Sequence, residues 1–190
     1  MTEWEKMRSG ALYNAADEAL RRARSEARQL THLFNRSEAD ATEYRAELLG
    51  ELFSACGKNV HIEPSFRCDY GKNITVGDDF YANYDCVILD VCPVTIGDRV
   101  LLGPRVCLCT AAHPIDAELR AAGLEYGAPI SLGDDVWLGC GAIVNPGVSI
   151  GARTVVGAGS VVTKSLPAGV VAVGNPCRVL RPISEKDRLR

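Results

Sequence analysis

Histidine is the side chain whose ordinary pKa lies nearest neutrality, and this sequence has three: His32, His61 and His113. A neutral imidazole can take the proton of an attacking hydroxyl and return it to a leaving group, so each is a candidate general base. His32 falls on the arginine-rich face of a helical pattern, and His61 precedes the regular part of the chain. His113, in TAAHPID (110–116), stands where a regular repeat breaks into a loop. Loops held on a rigid scaffold are where catalysis concentrates, so His113 is the leading candidate. The eight cysteines (56, 68, 86, 92, 107, 109, 140 and 177) form no C-x-x-C pair, the usual half of a structural zinc site. In a reducing compartment they read as small apolar filler.

The element that must position His113 is a ladder with a period of six. Leu132, Leu138, Val144, Ile150, Val156 and Val162 are aliphatic, and four of them precede a glycine (Gly133, Gly139, Gly151, Gly157). Four places after each lies another small or apolar residue: Val136, Ala142, Val148, Thr154, Ser160 and Leu166. Neither a helix nor a flat strand repeats at six, whereas a solenoid of hexapeptides does, with the aliphatic residue pointing inward at a corner. The same register runs earlier through Val76, Ala82 and Ile88, where Cys86 and Cys92 take the inward place four residues on. Two extra residues after Pro93 shift its phase before Ile96, Leu102 and Leu108. Residues 113–128 form one inserted loop. Glycine after the aliphatic residue suits a sharp turn where a Cβ would crowd, and Asp78, Asp98 and Asp134 keep the outside wet.

Ahead of the solenoid, residues 1–57 read as a helical module. Thr2 and Glu5 make a capping box and Gly10 ends a first short helix. Asn14 caps a longer helix with Asp17 in its first turn, and Leu20, Ala23, Ala27, Leu30 and Phe34 form its apolar face. Arg21, Arg22, Arg24 and Arg28 read as a solvated face. Asn35 stops this helix, and a third carries Tyr44, Leu48, Leu52 and Phe53. The module is too small to bury a core alone and must pack on residues 58–175, the solenoid, with 176–190 as a tail. A net charge of −3 argues against a nucleic-acid binder. The amino terminus is no signal peptide, and no stretch has the roughly 18 apolar residues of a membrane span. These readings predict the cytoplasm.

EKMRSGALYNAADEAL, FRCDYGKNITVGDDFYANYDCVILDVCPVTIGD, TAAHPID and GAGSVVTKSLPAGVVAVGNPCRVL, in that order, resemble the hexapeptide-repeat sugar O-acetyltransferases, nearly along the whole chain. FRCDYG, LDVCP and HPID resemble the maltose branch more than the galactoside branch. The resemblance implies a left-handed parallel β-helix, three hexads to a coil, and a homotrimer with active sites between subunits. It implies acetyl-CoA as donor and a sugar hydroxyl as acceptor, with no metal. His113 matches the catalytic histidine, and Asn83 and Asp90 fall where acceptor contacts lie. Asp69, Asp17 and Glu125 are further acceptor candidates; the galactoside branch has a serine at the position of Asp69, an aspartate at Ala15 and an acidic residue at Val91. Matching donor positions are Cys140, Ala158, Thr163, Lys164, Arg178 and Arg181, the basic ones suited to nucleotide phosphates. Cys140 lacks a second histidine to activate it, so direct transfer is expected over an acyl-cysteine. Three other readings stay open: a three-histidine metal enzyme like the γ-class carbonic anhydrases, disfavoured by the place of His32; a galactoside, chitooligosaccharide or xenobiotic acceptor; and a non-catalytic scaffold.

Overall fold

The computed structural model describes residues 1–189. From Ala55 onward the chain winds as a three-sided parallel β-solenoid, one short strand on each side of every coil. Side one stacks Ala55–Cys56, Ile74–Val76, Val94–Ile96, Ile130–Leu132 and Ser149–Ile150. Side two stacks His61–Ile62, Tyr81–Ala82, Leu101–Leu102, Trp137–Leu138, Val155–Val156 and Val170–Gly174. Side three stacks Arg67–Cys68, Val87–Leu89, Cys107–Cys109, Ile143–Val144 and Val161–Val162. The six aliphatic residues of the ladder and their partners four places on are all buried. Each hexad buries little alone, and stacking makes one continuous core.

The aliphatic residues sit in the strands, on the flats rather than at the corners. The turn falls on the residues after the glycine, and there the left-handed backbone appears: Asp79, Arg99, Asp135 and Arg153 all have φ between 54° and 60°. The glycine two places earlier serves close approach instead. A Cβ on Gly97 would stand 2.3 Å from Asp134 Oδ1 and 2.8 Å from its amide nitrogen in the next coil. Asp78, Asp98 and Asp134 do more than face water. Each accepts the backbone N–H of the equivalent residue one coil back, from Lys58, Asp78 and Asp98 at 2.8–2.9 Å. This staircase closes the corner between sides one and two.

The corner between sides three and one is irregular. Cys56 stacks on Val76 and Val76 on Ile96, twenty residues to a coil, whereas Leu132 stacks on Ile150 after the eighteen that three hexads require. The slip after Pro93 therefore has an earlier twin in the preceding coil, around Asp69–Asn73. The third coil carries the inserted loop at the same corner. That loop is structured: Ala111–Ala112 pairs antiparallel with Leu124–Gly127, and a short helix, Ala117–Ala121, crosses its tip.

Helix α1 (Glu3–Ser9) has the expected Thr2–Glu5 capping box and a left-handed Gly10. Helix α2 (Glu18–Asn35) is capped by Asp17 itself, not by Asn14. Asn14 belongs to a two-residue strand, Tyr13–Asn14, that pairs with Leu124–Glu125 of the inserted hairpin. Helix α3 (Thr42–Leu52) places Leu48, Leu49 and Leu52 on the first coil beside Phe34 and Phe53, while Tyr44 is exposed. Met7, Tyr13 and Leu20 form a second apolar cluster with Tyr70, Val91 and Cys92, so the helical module also buttresses the irregular corner. At the far end Val170–Gly174 folds back on Cys177–Pro182 as an antiparallel hairpin, where a trailing tail was expected. No described helix is long and apolar enough to cross a membrane.

Candidate active site

A cleft of about 320 Å³ opens at the irregular corner, with exposed His113 on its rim. The inserted hairpin supplies His113, Ala111 and Glu125; the first two coils supply Asp69, Tyr70, Leu89 and Val91; the helical module supplies Tyr13, Ala15, Arg24 and Arg28. A larger cleft of about 430 Å³ between α2 and α3 contains none of the predicted site residues, and chemistry favours the smaller one.

Polar groups in the cleft hold one another in place. Tyr13 Oη donates to Glu125 Oε2 at 2.6 Å, and burial followed by this carboxylate pushes the phenol well above its ordinary value. Arg24 donates to Tyr70 Oη at 2.5 Å and to the Ala15 carbonyl at 2.6 Å, joining α2 to the chain segment before it and to the first coil. Burial raises the Tyr70 phenol to about 12, against the pull of Arg24. Burial likewise raises Asp69, partly countered by the nearby guanidinium groups of Arg24 and Arg28. The result is a pocket of hydrogen-bond acceptors and guanidinium cations around a single imidazole, suited to gripping a polyhydroxylated molecule.

Of the predicted base and acceptor residues, His113, Asp69 and Glu125 meet here. Asp17 does not; its carboxylate accepts the Ala19 and Leu20 amides at 3.0 and 3.3 Å as the α2 cap. Asp90 is corrected as well. It is fully buried, its Oδ1 accepting the Asp69 and Tyr70 amides at 3.0 and 2.9 Å and its Oδ2 the Asn73 amide at 3.3 Å. Desolvation raises its carboxyl to about 7 despite these bonds. Asp90 thus staples the extra residues of the first coil, whose amides the lengthened turn takes out of the ladder, and Val91 beside it reaches the cleft. Thr110 does the same for the second coil, accepting from the Cys92 amide at 3.0 Å and donating to the Leu89 carbonyl at 2.7 Å.

Asn83 lies elsewhere, at the corner between sides two and three, where its Oδ1 accepts the Tyr84 amide. Cys140 and Ala158 are exposed at that same corner two and three coils on. Thr163 and Lys164 are exposed at the His113 corner in the fifth coil. Arg178 is exposed on the carboxy-terminal hairpin, and Arg181 is held by Asp187 through two bonds of 2.7 Å. One chain therefore brings three of the twelve predicted residues, His113, Asp69 and Glu125, into the cleft and displays Asn83, Cys140 and Ala158 at a different corner. Sequence reading missed Tyr13, Arg24, Arg28, Tyr70 and Leu89. The available signal was spacing: Leu20, Arg24 and Arg28 recur every four residues on α2, so the two arginines continue the row of a buried leucine.

Residues 6–57 match the maltose acetyltransferase hexapeptide capping motif, and residues 129–164 match the bacterial transferase hexapeptide of six repeats. The galactoside O-acetyltransferase of Escherichia coli K12 is 44% identical, over 97% of this chain and 91% of that protein. The chain belongs to the hexapeptide-repeat sugar O-acetyltransferases. Among solved structures, this family member is similar to a maltose O-acetyltransferase from Clostridium difficile 630, with 54% identity, a TM-score of 0.96 and coverage of 97% and 99% of the two chains. A galactoside acetyltransferase in complex with coenzyme A gives 43% identity, a TM-score of 0.95 and coverage of 99% and 94%. Ala15, Asp69 and Val91, the positions at which the sequence resemblance implies a difference from the galactoside branch, all line the cleft. Among the described residues no cluster of three or more potential ligands could hold a metal ion.

Proposed function

We propose that this acetyl-CoA-dependent sugar O-acetyltransferase moves the acetyl group directly to a hydroxyl of a maltose- or glucose-type acceptor, with His113 as general base. The observation that carries this reading is the convergence of His113 with Asp69, Glu125 and two arginines in one cleft. The imidazole takes the hydroxyl proton as the oxygen attacks the thioester carbonyl carbon. The carbon–sulfur bond then breaks, and the proton passes to the departing thiolate. Asp69 and Glu125 orient the acceptor through its hydroxyls. The donor lies along the same corner toward exposed Thr163 and Lys164, with Lys164, Arg178 and Arg181 meeting its phosphates. Arg181 must exchange its Asp187 carboxylate for a phosphate to take part.

The same reading makes the enzyme a homotrimer in which Asn83, Cys140 and Ala158 of one chain complete the site of the next. Its support is the outward character of the three sides. Side two exposes Leu101, Trp137 and Val173, side three exposes Ile143 beside half-buried Val87 and Val161, while side one presents Thr75, Thr95, Ser131 and Ser149. Two unlike apolar sides on one prism suit a head-to-tail contact that closes into a ring. A cytoplasmic location fits eight free cysteines. An acceptor screen that follows thiol release from acetyl-CoA tests the function. Release with maltose or glucose is expected, and release with galactosides or chitooligosaccharides alone would reassign the acceptor.

A further inference from the structure

Among the described residues, one buried side-chain polar atom has no hydrogen-bond partner: Oδ1 of Asn73, at the end of the lengthened first-coil turn. A buried acceptor left unpaired is costly. Turning the amide over does not relieve it. Asn73 Nδ2 donates to the Asp90 carbonyl at 2.7 Å and to the Val91 carbonyl at 3.5 Å, and an oxygen in its place would face both. The oxygen therefore needs a donor from a neighbouring side chain. The side chain that meets Asn73 is Asp90, whose Oδ2 accepts the Asn73 backbone amide at 3.3 Å.

Asp90 is fully buried, and its carboxyl meets three backbone amides but no cation among the described residues. Asp69 adds a like charge, and Cys68 beside them is kept a neutral thiol by burial and by both carboxyls. Arg24 and Arg28 of α2 and Glu125 of the hairpin bear on Asp69. Lys72 is turned away, donating to the carbonyls of Glu51 and Phe53, and Cys92 donates to the Met7 carbonyl. A buried carboxyl with no counter-ion favours its neutral form, which has the hydrogen that Asn73 lacks. We propose that Asp90 is a positioning residue that works as the neutral acid: its Oδ2–H donates to Asn73 Oδ1, and this shared proton locks the turn that holds Asp69 and Tyr70 in the wall of the acceptor cleft. Oδ2 keeps a lone pair for the Asn73 amide. When the proton leaves to solvent, a carboxylate stands against an amide oxygen, and the turn loosens behind Asp69.

Infrared spectra of the full-length protein test the proton without any substrate. At pH 6 wild type should show a protonated-carboxyl band that Asp90→Asn lacks. The band should fade by pH 8, because the carboxyl, raised to about 7, has then ionised. Asn73→Ala removes the accepting oxygen and should lower the midpoint of fading by about one pH unit. No Asp90-dependent band at pH 6, or an unmoved midpoint in Asn73→Ala, would overturn the shared proton. The effect on the acceptor rests on the acetyl-transfer reading, whereas the proton does not. Measured by thiol release, the acceptor KM of wild type should rise about tenfold from pH 6 to pH 8, since only the protonated fraction holds the wall in place. In Asp90→Asn the introduced amide donates to Asn73 Oδ1 at every pH, so the rise should vanish. A rise that persists in that variant belongs to Asp69 or His113 and would overturn the positioning role, as would a flat wild-type KM while the band fades. If no acceptor supports turnover at all, the band and its shifted midpoint still decide the proton.

Discussion

Two corners of this solenoid turn the same chain under opposite constraints. At the corner between sides one and two, a column of glycines lies so close to the next coil that a Cβ has no room, and an aspartate staircase carries each coil's amide to the one after. At the corner between sides three and one, the first two coils each run two residues long and the third throws out a hairpin. Close packing at the first corner keeps the strands in register, so the second can vary without unravelling the stack. Variation has a chemical requirement of its own: lengthened turns leave amides without ladder partners, and buried Asp90 and Thr110 supply them. The repetitive corner makes the fold, and the irregular one makes the site.

Substitutions can separate the two roles. His113→Ala touches only the site and should lower turnover about 1000-fold with unchanged melting behaviour, read by steady-state thiol release and calorimetry. Gly97→Ala touches only the regular corner. It should cost about 3 kcal/mol, because backbone and the Asp134 carboxylate of the next coil must shift, and should be seen as a lowered denaturation midpoint. Asp90→Asn bridges the comparison, since it loosens the staple behind Asp69 and Tyr70, at about 2 kcal/mol. Its pH dependence has a definite sign. With its carboxyl raised from 3.8 to about 7, the folded protein keeps a proton that the unfolded chain has released, so wild type loses stability as pH rises through that window. The penalty of Asp90→Asn should therefore be largest near pH 4 and shrink toward pH 7 in denaturation series. Lys164→Ala should have the smallest effect, raising KM for acetyl-CoA about tenfold with little change in kcat, and dephosphorylated donors should lose the difference.

Most of the architecture was legible from the sequence because a six-residue beat has few physical solutions. The inward set, the capping box and the inserted loop all followed from it or from local propensity. No residue pattern carried the sense of winding, which the family resemblance alone implied. Asp90 and Asp17 show why the site was harder. Sequence distinguishes a carboxylate from its neighbours but not one aimed at solvent from one turned back on the backbone. Burial and three amide donors decided Asp90, and a helix cap decided Asp17. The early slip at Asp69–Asn73 was invisible because no preceding clear hexad gave it a phase. Arg24 and Arg28 read as surface charge until α2 was docked against the corner they face.

The proposed composite site is tested most directly by mixing two defective chains. His113→Ala removes the proposed base from one corner, and Asn83→Ala removes the proposed contact at the other. Co-expressed in equal amounts, the two should form mixed rings in which on the order of a quarter of the sites draw both intact residues from different chains. Thiol release should then return to about that fraction of wild type, although each variant alone is impaired. Activity no higher than the mean of the two separate variants, in rings shown by native mass spectrometry to be mixed, would contradict a site shared between subunits.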